Sequence, residues 1–371
     1  MHLDKLTSFF LFLLTLWDYY FPAYGGRVFD YFALVAILFS VVVGLSAGQR
    51  LVYPKWLLLA FSLSVVQVVY GALNGNELAA IAFLVGFILI LPYFFTNGFA
   101  LGKGVSLKYL DLIIGLHVLI FFVQHFVFHL FLYPIDLHGV VGSIDTRTFN
   151  EATGYFRAAG LFQEPNSYSV TIYALLILKL ITSAGKLDFL CLVAWLSLFV
   201  SESLWAVGGG VVIAMLFFNS NLIKCSVVVM AAVSFFVFVN APELLNYVLD
   251  PITVTRLLDL ESDPSNLARY GLAKNIDLNL SFFFGNGINT SDFQSFLGAN
   301  GYSFVTYSFG LLWTIGFLLA IYFNSSAHRL KVVVAVLFAM STYPLFTYLF
   351  WYAWLALILK ARGRHNESAL P

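Results

Sequence analysis

The chain has 371 residues, of which 61% are hydrophobic, 18% aromatic and only 10% charged, and its formal net charge is zero. A soluble domain carries about 25% charged residues, so the surface of a soluble protein with this composition would be largely apolar, which water does not tolerate. The composition excludes a soluble globular protein and favours a polytopic membrane protein, and the zero net charge argues against a nucleic-acid partner.

Apolar segments recur along the whole chain, and a membrane-crossing helix needs about 20 mostly apolar residues. They predict an all-α integral membrane domain over 1–371, starting with a first helix that is retained rather than cleaved as a signal peptide. The predicted spans are 6–24, 28–47, 56–73, 78–96, 109–133, 166–183, 187–202, 204–219, 223–240, 303–323, 331–343 and 346–360. The last two flank Pro344, so the count is about 12, or about 11 if they form one kinked helix.

The distribution of basic residues predicts how the chain is oriented. With a cytoplasmic N-terminus, most of the 19 Lys and Arg residues fall on the inner side, among them Lys179, and the basic end of the chain lies there too. This asymmetry follows the positive-inside rule and predicts that both termini are cytoplasmic. Under it Asp111 begins a span at the inner surface and is expected to be solvated.

Two long loops, 134–165 and 241–302, then fall on the outer side, whereas the inner loops are short. The second loop contains helical apolar spacing, with Asp263 and Pro264 typical of a helix start and Arg269 on the amphipathic helix that follows. Gly285 and Gly287 end this pattern and predict a tight turn. No Walker A or HExxH motif occurs, so we expect the chemistry of the protein to face outward.

The first outer loop ends in RAAGLFQEPNSYS, residues 157–169, directly before an apolar run. Pro165 suits the first turn of the helix that re-enters the membrane, with Glu164 near its cap, and the free N–H groups of that turn favour anions. Arg157 adds a guanidinium fork that suits a phosphate or diphosphate, and Gly160 allows close backbone approach. The alternative is an ordinary loop in which Arg157 and Glu164 pair with each other.

The same segment resembles the R-x-x-G-x-F-x-x-P-N motif of the O-antigen polymerase and ligase family. The resemblance continues through SLFVSESLWAVGGG, the arginine-bearing LARYGLAKNI, the glycine pair of FFGNG, the asparagine of ANGYS and the span SFGLLWTIGFLL. It covers about residues 150–325 in the family's order. It implies a bacterial inner-membrane protein that acts on glycans linked to polyprenyl diphosphate.

The resemblance further implies metal-independent, inverting glycosyl transfer without a cofactor, from a polyprenyl-diphosphate-linked glycan to a sugar hydroxyl of another lipid-linked repeat unit. Arg157 and Arg269 match the two arginines that the family uses on the diphosphate. The expected partners are the lipid-linked oligosaccharide, the bilayer, a chain-length regulator and a flippase. The remaining residues expected to bind the diphosphate or glycan are Gly160, Pro165, Asn166, Arg147, Gly285, Gly287 and Asn300.

Ligases of this family carry a histidine in the large loop, where this chain reads GANGYS, and no histidine occurs between Asn150 and Asn324. This departure favours a polymerase over a ligase and leaves the general base open. Glu164 is the first candidate, ahead of Asp292 and His138, because a base has to reach the attacking hydroxyl.

Several other interpretations stay open. His125 and His129 are four residues apart and suit metal ligation only with a third ligand, whereas buried histidines in spans more often bond neighbouring helices. Gly208, Gly209 and Gly210 are expected to allow close helix packing. A lipid-glycan flippase or transporter would show broken helices at mid-membrane. A membrane acyltransferase and a non-catalytic assembly partner account less well for arginines in both long outer loops.

Overall fold

The computed structural model describes residues 3–21, 27–73, 77–97, 106–140, 149–150, 155–201, 203–218, 280–287, 301–325, 328–342 and 348–361. These residues are mostly helical, as the apolar segments predict. By length and composition, α2 (Val28–Ser46) and α6 (Leu107–Phe131) are each able to cross a membrane, and a bent pair described below is a third candidate. The chain is therefore a helical protein of membrane type, and about twelve spans remain a prediction.

The chain divides into two compact units. The first comprises Met1–Ile113, Ile177–Ala184 and Ala268–Pro371, and the second Ile114–Leu176 and Gly185–Leu267. Parts of α6 and of α8 (Pro165–Thr182) belong to the first unit. Its other described helices are α1 (Leu3–Thr15), α2, α3 (Lys55–Leu73), α4 (Glu77–Val85), a π-helical turn (Gly86–Ile90), α5 (Leu91–Asn97), α11 (Leu280–Phe284), α12 (Gly301–Phe309), α13 (Leu311–Asn324), α14 (Arg329–Met340) and α15 (Leu349–Lys360).

The second unit contains the rest of α6 and α8 (Pro165–Thr182), together with the short α7 (Leu137–Val140), α9 (Phe189–Val200) and α10 (Leu204–Phe217). A two-residue antiparallel ladder joins β1 (Phe149–Asn150) to β2 (Tyr155–Phe156), in the part of the chain predicted as a loop. The first predicted span, 6–24, is too long, because α1 ends at Thr15 and a turn follows. Most of the other described helices have ends within a few residues of the predicted segments. The predicted span 223–240 and the predicted amphipathic helix around Arg269 lie outside the described residues.

The predicted span 303–323 is wrong as a single straight helix. The structure divides it at Gly310 into α12 and α13, which meet at a bend of 117°. Gly310 has φ +87°, a conformation that ends a right-handed helix. A Cβ atom at Gly310 would lie 2.3 Å from the Phe283 carbonyl oxygen, so the turn after α11 fills the break.

The turn 285–287 also satisfies the backbone of the broken helix. The amide of Asn286 donates to the Tyr307 carbonyl at 2.8 Å, and the amide of Gly287 donates to the Ser308 carbonyl at 3.0 Å. Gly285 and Gly287 have φ of +83° and +77°, which confirms the predicted tight turn. Backbone groups freed by a break inside an apolar environment need such partners, because an unpaired group there costs several kcal/mol.

Lys179 lies in α8 and not in an inner loop as predicted, and its side chain is only 3% exposed. Its Nζ atom is 2.6 Å from a carboxylate oxygen of Asp111. The Asp111 side chain, which is 39% exposed, is therefore paired with Lys179 and not simply solvated as predicted. A buried ammonium group requires a partner of this kind, which explains how α8 accommodates a lysine among apolar residues.

The helix break yields a test with a matched control. Gly310→Ala should lower the free energy of unfolding by at least about 2 kcal/mol, because it combines a strained φ with a clash against the Phe283 carbonyl. Gly316→Ala, inside α13 and with open space around its Cβ position, should be neutral or stabilise by up to about 1 kcal/mol. Reversible unfolding in detergent measures both. Equal stabilities of the two variants would contradict the packed break.

Candidate functional site

The segment that carries Arg157 begins from an anchored strand. Phe156 ends β2, is 2% exposed, and has its ring centroid 4.8 Å from that of Phe128 on α6. Arg157 follows directly, and its side chain is partly exposed. The burial of Phe156 therefore fixes the point at which Arg157 leaves the strand.

Gln124 of α6 holds the next part of the loop. Its Oε1 accepts hydrogen bonds from the amides of Ala159 at 3.2 Å and Gly160 at 2.7 Å, and its Nε2 donates to the Ile135 carbonyl at 3.1 Å. Two successive amides that converge on one oxygen form a small nest of the kind that also binds anions. The glutamine already occupies the Gly160 amide, so that amide is not available to a diphosphate in this conformation.

The conformation of Gly160 depends on the absence of a side chain. Its φ is +62°, and a Cβ atom would lie 3.2 Å from the Tyr168 ring and 3.4 Å from the His117 carbonyl oxygen. The predicted close backbone approach at Gly160 is thus present, but the approaching group is protein. Whether Gly160 also serves a ligand stays a prediction.

Aromatic and histidine side chains pack beneath the loop. The Phe162 ring stacks on His117 with centroids 5.2 Å apart, and Tyr168 stacks on Phe121 at 4.3 Å. His138 of α7 is 1% exposed, and its Nε2 lies 3.2 Å from the Leu161 carbonyl, to which the Nε2–H tautomer donates. A ring committed in this way is a poor general base for a substrate hydroxyl.

Helix α8 starts at Pro165, as predicted. The Glu164 carbonyl accepts the amide hydrogen of Tyr168 at 3.3 Å, so Glu164 occupies the cap position. The Asn166 Oδ1 atom accepts from the Ser203 hydroxyl at 3.3 Å, which links the beginning of α8 to the beginning of α10. Asn166 is therefore in contact with the second serine of the SESL motif.

Hydroxyl groups continue this link deeper into the unit. The Ser169 hydroxyl donates to the Pro165 carbonyl at 2.7 Å and lies 2.9 Å from the Ser201 hydroxyl, while Tyr168 donates to Ser197 at 2.7 Å. Buried hydroxyls paired across helices stabilise helix contacts in an apolar environment. They make the first turn of α8 a fixed support for the loop before it.

Arg157 and Glu164 do not pair with each other in the described part of the chain, in which the Arg157 side chain forms no hydrogen bond or ion pair. The interpretation of the segment as a loop closed by a mutual Arg157–Glu164 bridge is therefore wrong. The buried polar groups that fix the loop are instead Gln124 and His138. Their signal in the sequence was weak. Gln124 lies seven residues after His117, on the same face of an apolar helix, and such polar side chains need a partner.

The other predicted site residues belong to different parts of the chain. Gly285 and Gly287 belong to the first unit, where their backbone supports the break between α12 and α13. Arg147, Arg269, Asn300 and the alternative base Asp292 lie outside the described residues. Their predicted roles stay predictions.

The histidine pair of α6 has close rings, with centroids of His125 and His129 4.3 Å apart. Within the described ranges, no group of three or more His, Cys, Asp or Glu side chains is arranged to hold a metal ion. Gly210 has the packing role expected of it, because a Cβ atom there would lie 2.6 Å from the Phe199 ring, and the Gly210 carbonyl accepts from Trp195 Nε1 at 2.8 Å.

Comparisons with known proteins add no relative. No protein-family model matches the chain, and neither a curated protein nor a solved structure matches it. The family resemblance thus rests on the order of the sequence motifs.

The environment of His138 predicts a pH dependence. Burial lowers its pKa below the usual 6.5, against the opposing effects of the Leu161 carbonyl and Asp136. The unfolded chain therefore takes up the proton first as the pH falls. The stability contributed by neutral His138 is complete above about pH 6.5 and decreases below it towards the lowered pKa, by at most about 1.4 kcal/mol per pH unit.

His138→Gln provides the control, since its amide still donates to the Leu161 carbonyl but does not titrate. Unfolding free energies of both proteins between pH 7.5 and 5.5 measure the difference, in which the other histidines cancel. Parallel pH curves for the two proteins would rule out this role of His138.

Proposed function

We propose that the protein is a polymerase of lipid-linked oligosaccharide repeat units in the bacterial inner membrane. It extends an O-antigen, capsule or exopolysaccharide with glycan from a polyprenyl diphosphate. The observation that supports this most is the loop 157–164, in which buried groups hold the backbone while Arg157 engages no described residue. An arginine on a fixed backbone that no described residue neutralises suits a diphosphate.

The proposed reaction is a displacement at the anomeric carbon of the donor sugar. The bond from this carbon to the diphosphate oxygen breaks as its bond to the acceptor hydroxyl oxygen forms, with inversion. The general base takes the hydroxyl proton, and the bonding pair leaves with the diphosphate. Negative charge builds on that leaving group in the transition state, where Arg157 and Arg269 would stabilise it.

Glu164 is the proposed base. Glu164 caps α8 and lies seven residues after Arg157. The two side chains do not form an ion pair, so the Glu164 carboxylate is not bound to the arginine that would hold the leaving group. Because the displacement inverts the anomeric carbon, Glu164 and Arg157 would have to act on opposite sides of it.

A transporter or flippase of lipid-linked glycans is the second candidate, and the break between α12 and α13 favours it, because broken helices form substrate sites in transporters. Against it, the turn around Gly285 fills this break, and the carbonyls of Tyr307 and Ser308 at its edge already have backbone donors. A ligase differs from the polymerase in its acceptor.

Arg157→Ala tests the proposal in a deletion strain complemented at matched protein level, with surface-glycan length as the measurement. We expect long-chain polymer to disappear while single capped repeat units remain, since loss of one transition-state donor costs about 10²–10³ in rate. Arg157→Lys should retain part of the activity. The control is Arg329→Ala. Arg329 lies at the start of α14, and its guanidinium carbon is 5.5 Å from the centroid of the Tyr322 ring.

Normal polymer with Arg157→Ala would sink the mechanism. Complete loss of capped repeats indicates the flippase instead, and accumulation of long polymer on the lipid carrier indicates the ligase. These three outcomes are distinct on one set of gels of surface and carrier-linked glycan.

Glu164→Gln tests the base separately. The amide keeps the size and the backbone cap but accepts no proton, so the rate of polymerisation should fall by at least about a hundredfold. Donor binding should change much less, because Arg157 is intact. Single-turnover kinetics with purified lipid-linked repeat units separates the rate of polymerisation from donor binding. A near-normal rate would exclude Glu164 as the base.

A further inference from the structure

Gln124 is a polar residue in the interior of an apolar helix, and its side chain is 2% exposed. An amide removed from water costs several kcal/mol unless its donors and acceptors find partners. All the side-chain hydrogen bonds described above for Gln124 go to backbone groups, on both sides of the loop region. One is the Ile135 carbonyl after α6, and the others are the amides of Ala159 and Gly160.

These bonds fix the loop on both sides of its charged residues. Arg157 lies between Phe156, whose ring packs on Phe128, and Ala159, whose amide is bound to Gln124. Only Arg157 and Ala158 lie between these two anchors, and three residue steps of extended chain span only about 10 Å, so the backbone of Arg157 has little freedom. Beyond Gly160, the bond between His138 and the Leu161 carbonyl and the start of α8 at Pro165 enclose Glu164 in the same way.

Neighbouring groups prevent the loop from adapting if Gln124 is lost. Gly160 has φ +62° and lies against the Tyr168 ring and the His117 carbonyl. An alternative acceptor for its amide would have to enter this packed space. We therefore expect the removal of Gln124 to loosen the loop and not to be compensated locally.

We propose that Gln124 is a positioning residue that holds Arg157 in the orientation needed for a diphosphate leaving group. It acts through the loop backbone and touches no substrate. This inference rests on the proposed function. Its kinetic importance follows from preorganisation, because a misplacement of about 1 Å can cost about a hundredfold in rate.

The first test needs no activity. Hydrogen–deuterium exchange of the full-length protein in detergent is compared for wild type, Gln124→Leu and Gln124→Glu. The leucine variant should exchange the amides of Ala159 and Gly160 at least about tenfold faster, whereas a glutamate still accepts from both amides and should preserve most protection. Unchanged protection in Gln124→Leu would overturn the clamp.

Trp195→Phe is the matched control, because it removes another buried bond to backbone in the same unit, the 2.8 Å contact with the Gly210 carbonyl. It should leave the exchange of segment 157–162 unchanged. Equal loosening of the loop by Trp195→Phe would show a general loss of stability and contradict a specific role of Gln124.

The second test is kinetic coupling to Arg157. Gln124→Leu is measured alone and in the Arg157→Lys background with lipid-linked repeat units. We expect it to lower kcat/KM at least about tenfold alone, mainly through kcat, and about threefold or less in the Arg157→Lys background, because the precisely placed fork is already gone. An equal loss in both backgrounds would mean that Gln124 affects the whole fold, and would overturn the positioning role.

The two hypotheses fail in different ways. Full activity of both Arg157→Ala and Arg157→Lys would remove the proposed function, and the positioning role with it, even if exchange shows an intact clamp. An essential Arg157 combined with additive effects of Gln124→Leu would remove the positioning role alone. If the leucine variant does not fold, Gln124→Met in both Arg157 backgrounds carries the same comparison, because methionine keeps the length of the side chain but removes the amide oxygen that binds Ala159 and Gly160.

Discussion

A backbone amide or carbonyl that leaves water has to find a partner, and this requirement shapes two irregular segments of the described chain, the loop 157–164 and the break at Gly310. In an apolar protein, water cannot make up for a loop or a broken helix. In the second unit, one oxygen of Gln124 satisfies two loop amides. In the first unit, the amides of Asn286 and Gly287 satisfy the carbonyls exposed by the break at Gly310.

The two solutions differ in what they leave available. At the break, backbone meets backbone at glycines, and the space beside Gly310 is filled by the Phe283 carbonyl. In the Arg157 loop, the side chain of Gln124 binds the backbone amides instead. The guanidinium of Arg157 is therefore attached to a fixed backbone and has no partner among the described residues. A fixed backbone with an uncommitted charge suits binding and catalysis, whereas a break closed by its own chain suits support.

Much of the helical framework was predictable from local sequence. Apolar runs of sufficient length placed α2, α3 and α6 to within two residues, and Pro165 correctly marked the start of α8, because each signal is contained in the segment itself. The break at Gly310 was not predictable in this way. Gly310 and Gly316 look alike in an apolar run, and contacts with Phe283 and Gly285, far away in the sequence, distinguish them.

The same limit applies to the candidate site. Residue types identified Arg157, Glu164 and Pro165, because charge and proline next to an apolar run carry information by themselves. The contacts that hold these residues could not be predicted from the sequence, because Gln124 and Gly160 are 36 residues apart. Hydrophobic periodicity does not specify which loop a buried side-chain amide will bind. A polar side chain in the interior of an apolar helix nevertheless indicates that it has a polar partner. At Gln124 the partners are the amides of Ala159 and Gly160, so a single buried glutamine connects the interior of α6 to the loop that carries the proposed chemistry.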